Sequence, residues 1–144
     1  MRERLAGLTR LLERAATQQR LIEQQVAAAA RKVDQLGQRL QEVRAQRTAL
    51  ETSPARAETV ATAANRQRFA ESLEREQARL AEDLAAAEEA LRERKQALVG
   101  ASQETTALKR LVERLEAESG RRERRAEQAL LDEHSQFTTA KGDH

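Results

Sequence analysis

The feature that most constrains this chain is an apolar side chain recurring at alternating steps of three and four residues. From Leu5 the positions are Leu5, Leu8, Leu12, Ala15, Gln19, Ile22, Val26, Ala29, Val33, Leu36, Leu40, Val43, Arg47 and Leu50. Twelve of these fourteen are apolar, and the phase never slips. A strict 3,4 repeat keeps one narrow seam turned toward a partner helix, as a left-handed coiled coil requires. Charged residues make up 35% of the chain and mean hydropathy is −0.81, values that otherwise suit disorder. A disordered chain has no reason to hold such a phase. The seam predicts a first helix over residues 3 to 52, roughly 75 Å long at about 1.5 Å per residue.

The pattern breaks at Thr52-Ser53-Pro54, which holds the chain's one proline. Ser at an N-cap with Pro in the first helical position is a helix start signal. Residues 54 to 65 carry only Val60 as a large apolar side chain, so loop and weak helix both remain open across 52–65. A second seam then runs Ala70, Leu73, Gln77, Leu80, Leu84, Ala87, Leu91, Arg94, Leu98, Ala101, Thr105, Leu108, Val112, Leu115, Ser119, Arg122, Ala126, Ala129. Thirteen of these eighteen are apolar. Glu71–Arg75, Glu88–Arg92 and Glu118–Arg122 place Glu four residues before Arg, each pair adding about 0.3 kcal/mol. The second helix is expected to reach about Gln136, with 137–144 a flexible tail.

Two seamed helices joined by a short break predict an all-α fold: one long antiparallel coiled-coil hairpin over residues 1–136, helix 2 longer than helix 1. Composition agrees. Ala, Arg, Glu, Leu, Gln and Lys fill 106 of 144 positions, with two Phe and no Tyr or Trp. That set makes long helices and cannot fill a globular core. Charge agrees weakly: residues 1–52 carry ten bases and six acids, residues 53–104 eight bases and ten acids.

Several functions are excluded at this stage. There is no Cys, hence no thiolate zinc site or thiol nucleophile. His134 and His144 have no companions at metal spacing, and the serines have no placed base. No Gly-rich phosphate loop is present. Asp132-Glu133 and Glu88-Glu89 are helix neighbours pointing about 100° apart, with no pocket to desolvate them. Catalytic, cofactor-binding and metal residues are therefore all expected to be none. No apolar run approaches the roughly 20 residues that cross a bilayer, and MRERLAGL never builds a secretory core, so a cytoplasmic protein is expected. A net charge of +2 and a basic run without stacking aromatics argue against nucleic acid.

Unequal arms leave part of helix 2 without an intramolecular partner. Leu108, Leu111, Val112, Leu115, Leu130 and Leu131 fall on or near that overhang, beside Arg110, Arg114, Arg121, Arg122, Arg124 and Arg125. An uncovered Leu stripe is a docking surface by default; the plainer readings are that both ends fray or that two molecules dimerise there. Leu5 and Leu8, at the same end, are expected to share it. The polar seam residues Gln19, Arg47, Gln77, Arg94 and Arg122 either fix register or snorkel to solvent.

The second arm carries a family resemblance. RQRFAESLEREQARLAEDLAAAEEALRERKQAL, with Phe69, Leu73 and Gln77 in its opening turns, resembles the start of helix 2 in the FliJ family of flagellar type III export proteins. ALKRLVERLEAESGRRERRAEQALLDEHSQ, ending in Glu127-Gln128 and Asp132-Glu133, looks like that family's C-terminal segment. The near absence of aromatics departs from the pattern, with Val43 and Arg47 standing where such side chains are expected. The resemblance implies a non-enzymatic stalk, similar to the central stalk of a rotary ATPase. It implies an export ATPase ring, a membrane export gate protein and export chaperones as partners, with membrane association only through them at the inner face. It also implies a gate-facing surface around Leu36, Leu40, Val43, Phe69 and Leu73. Phe69, the one ring in either seam region, is a core plug or an anchor, and the plug is preferred. An injectisome stalk has the same outline, and the seam alone also suits a homo-oligomeric structural coiled coil.

Overall fold

The computed structural model describes residues 1–53 and 59–142, with side chains through Thr138. Two helices fill it: α1, Arg2–Thr52, and α2, Val60–Gly142. Ala, Leu, Arg, Glu and Gln are the strongest helix formers available, and among the described residues no backbone adopts a positive φ.

α2 starts later than the Ser53-Pro54 signal suggests. Its cap is Thr59, whose Oγ1 accepts a hydrogen bond from the Thr62 N–H at 3.2 Å, while the Thr59 carbonyl accepts from the Ala63 N–H at 3.0 Å. Thr59 is thus the N-cap, satisfying a donor of the first turn that would otherwise have none. Pro54 lies outside the described residues. At its other end α2 continues through Gly142, beyond the expected stop near Gln136. The expected Glu88–Arg92 pair is replaced by Arg92 on Glu89.

α1 and α2 pair in two units. In residues 20–99, Arg94 donates to Gln25, Arg39 to Glu76, Arg47 to Gln77 and Arg66 to the Leu50 carbonyl. From Gln25–Arg94 through Arg39–Glu76 to Leu50–Arg66 the partner numbers fall along α2 as they rise along α1, so the helices run antiparallel. The core is Leu40, Val43, Leu73 and Leu80, with Leu36, Leu50 and Leu84 packed against it. The Arg66 guanidinium also closes the end of α1, donating to the carbonyls of Leu50 at 2.6 Å and Ser53 at 3.2 Å. α1 has no basic residue in its own last turn, and α2 supplies the cation its C-terminal carbonyls favour.

The other unit joins Met1–Gln19 to α2 from Gly100 onward. It too is antiparallel: Leu11, Arg14, Ala15 and Gln18 line a groove with Glu104 and Leu108, and Arg122 reaches the Met1 sulfur at 3.9 Å. Val112 and Leu115 are buried in it. Every described side chain from Arg121 through Thr138 is exposed. α1 therefore covers α2 only as far as Gly120.

Candidate partner-docking surfaces

At the terminal end the residues expected to form one exposed stripe divide in two. Val112 and Leu115 are 6% and 7% exposed, and Leu108 and Leu111 are half-buried. Leu5 and Leu8, across from them on α1, are half-buried as well. The expected overhang from Leu108 is thus corrected: α1 covers α2 past Leu115, and these six side chains are consumed in holding the helices together. The uncovered length begins at Arg121.

That length has its own order. On a helix advancing about 100° per residue, Arg121, Arg122, Arg124 and Arg125 fan over an arc of about 160°. Glu123 falls on the opposite side, so it does not interrupt the basic arc as its place in the sequence suggests. All four guanidinium-bearing residues are exposed. Arg122 has local contacts, to Glu118 at 3.7 Å and the Met1 sulfur, of the weak surface kind. Farther along, Leu130 and Leu131 stand 66% and 62% exposed, and Gln128 donates to Asp132 at 3.1 Å.

The loop-proximal face is a core rather than a surface. Leu40 and Leu73 are buried, Val43 is fully buried and Leu36 is half-buried. Phe69 is the exception at 51% exposed, which sets aside the core-plug preference. Its step from Leu73 is four residues and it lies one short of the seam position Ala70, so it projects from the edge. Val60, a residue not singled out for docking, is exposed at the start of α2. Its signal was legible as the one large apolar side chain between Pro54 and Asn65.

Polar side chains frame this face. Arg47 donates to Gln77 Oε1 at 3.1 Å and approaches Glu74 at 3.6 Å and Glu51 at 3.4 Å. Two interruptions of the two seams thus meet each other. Arg39 bonds Glu76 at 2.7 Å and Glu42 at 3.4 Å. The Glu76 hydrogen bond, then its charge, holds the Arg39 pKa above the ordinary guanidinium value.

Among the described residues no His, Cys, Asp and Glu group gathers at metal-holding distance, and no helix is long and apolar enough to cross a membrane. The surface depressions are shallow grooves along the helix pair; that beside Ala29, Lys32, Leu36, Asp83 and Ala87 holds about 350 Å³. What the arrangement offers chemically is contact: apolar edges and fans of charge. No curated protein and no solved structure matches the chain. A family match does exist, described as flagellar FliJ protein and spanning residues 5–143. With nearly its whole length matched and its two helices paired as a hairpin, the chain belongs to the FliJ family, a component of the flagellar export apparatus.

Proposed function

We propose that this protein is a non-enzymatic stalk and adaptor of flagellar type III export. It docks on the hexameric export ATPase through the uncovered end of α2 and serves the export gate and export chaperones through the exposed edge at Phe69 on its loop-proximal face. It works in the cytoplasm and reaches the membrane only through those partners. The observation that carries this is the exposed fan of Arg121, Arg122, Arg124 and Arg125 on a single uncovered helix. A side chain set within a ring meets loops arriving from several subunits. Arginines spread around a helix pair with acids on whichever loop is near, without one fixed register. Phe69, half exposed, is the matching apolar anchor at the loop-proximal face.

The test is co-purification with the export ATPase and stimulation of its activity. Reversing Arg121, Arg124 and Arg125 to Glu is expected to weaken both while helicity stays unchanged, since these side chains lie outside the helix pair. Removing residues 121–144 is expected to abolish both. Wild-type binding by the truncated chain would move the docking end to the loop-proximal face. At that face, Phe69→Ala is expected to reduce gate binding with little change in melting.

A further inference from the structure

The second seam does not stop where α1 stops covering it. Past Gly120 it continues in phase through Arg122, Ala126 and Ala129 to Glu133, with all four side chains exposed. The steps between them are four, three and four, a palindromic spacing. Read backwards, the same seam presents Glu, Ala, Ala, Arg. We propose that the uncovered end of α2 is an antiparallel pairing surface for a second copy of this chain. Arg122 then faces Glu133 of the second copy, and Ala126 faces its Ala129, with each contact made twice about a two-fold axis.

Three observations commit this surface to a second copy. First, the charge is split along the helix: four Arg and one Glu over residues 121–125, then Glu127, Asp132 and Glu133 with no base between them. An acidic partner complements only the first block, whereas a reversed second copy complements both. Second, the flanking positions agree with the seam. Arg125 and Asp132 are the residues beside it on one edge, and these meet across an antiparallel pair in the same register. Third, the central seam residues are alanines, which let two helix backbones approach closely, while Leu130 on the other edge gains cover. A parallel pairing has none of this, since it sets Arg on Arg and Glu on Glu.

The contact runs over residues 122–133, about 18 Å of helix at 1.5 Å per residue. It lies below the size of a stable interface, so the pair is weak and concentration-dependent. Its ion pairs are exposed and therefore screened by salt. The register also carries residues beyond about 136 of one copy toward the place where α1 of the other begins, near Met1. Those last residues must leave the seam, and removing them relieves a conflict. The pairing goes beyond the ATPase assignment and covers some of the same arginines, so the paired form is one that the ring displaces.

The experiment uses the full chain alone, without ATPase, in sedimentation equilibrium up to millimolar concentration. Wild type is expected to self-associate at low salt and to dissociate at high salt. Arg122→Glu with Arg125→Glu, or Asp132→Arg with Glu133→Arg, is each expected to weaken association by about tenfold or more. Mixing the two variants is expected to restore association as a heterodimer, and combining all four changes in one chain is expected to restore the homodimer. Removing residues 137–144 is expected to tighten the pair. Orientation is read by disulfide trapping, since the chain has no native Cys. Mixed Ala126→Cys and Ala129→Cys chains are expected to form the heterodisulfide ahead of either homodisulfide. A wild type that stays monomeric at low salt, or an association that both block reversals leave intact, overturns the proposal. Dominant homodisulfides overturn the orientation and with it the charge argument. None of these outcomes bears on ATPase docking, which is measured separately.

Discussion

Between residues 20 and 99, α1 and α2 are held by apolar and polar side chains together. Leu40, Val43, Leu73 and Leu80 close a continuous core, and Arg39–Glu76, Arg47–Gln77 and Arg66–Leu50 bind across it. The terminal unit is held differently. Val112 and Leu115 are buried there, the contact from Arg122 goes to a thioether, and past Gly120 one helix stands by itself. Thioether sulfur is a weak acceptor, and a lone helix lacks the tertiary packing from which most helical stability comes. The difference teaches where each kind of work is done. One region spends its large side chains on the partner helix; the other does so only up to Gly120 and beyond it leaves charged and apolar residues available to something else.

The sharpest way to break that contrast is a pair of leucines. Leu40 is 4% exposed within the residue 20–99 core, and Leu40→Ala is expected to cost about 2–4 kcal/mol, from lost burial and the void left behind. Leu73→Ala is expected to match it. Thermal unfolding followed by circular dichroism checks both, with a fall of roughly 2–4 °C for each kcal/mol in a chain of this size. If Leu40→Ala melts like wild type, this unit is not the better-packed one.

The seams carried most of this into the sequence. All fourteen positions of the first are buried or half-buried, Gln19 and Arg47 included. The second is likewise covered from Ala70 to Ser119, with Arg94 as the exception. Periodicity finds such positions because a coiled coil is a local rule repeated. What it does not supply is the axial offset between helices. The offset decides that cover ends at Gly120, and so turns Leu108, Leu111, Val112 and Leu115 from exposed stripe to packing. In the terminal unit that offset is marked by a long-range contact, Arg122 to the Met1 sulfur, 121 residues apart in the chain. The start of α2 was ambiguous for a different reason: Ser53 and Thr59 are both competent caps, and local preference does not choose between them. Phe69 was misjudged because one residue's step off the seam turns a side chain by about 100°.

A middle-sized effect is expected at Arg66, which closes α1 from the neighbouring helix. Arg66→Ala leaves the Leu50 and Ser53 carbonyls to water and removes a cation from the C-terminal dipole, at about 1 kcal/mol. The readout that separates this from general destabilisation is hydrogen exchange. Faster exchange confined to the last turns of α1 is expected, and uniform acceleration along both helices would deny Arg66 its capping role. Arg47→Ala and Gln77→Ala, with their double variant, are expected to show a coupling of about 0.5–1 kcal/mol. A coupling near zero would return both residues to solvent-facing roles without influence on register.

The smallest expected effect lies where cover ends. Leu130 has the size and chemistry of Leu40, yet it is 66% exposed on the uncovered part of α2. Its side chain has little burial to lose, and Ala has a slightly better intrinsic helix propensity than Leu. Leu130→Ala is therefore expected to shift unfolding by less than about 0.5 kcal/mol in either direction. The contrast with Leu40→Ala isolates packing, because the chemical change is the same and only the surroundings differ. A loss approaching that of Leu40→Ala in the dilute, monomeric protein would mean that Leu130 is covered in solution by its own chain. That result would erase the distinction between a packed unit and an open end. A loss that appears only at high protein concentration would instead locate the missing cover in a second copy.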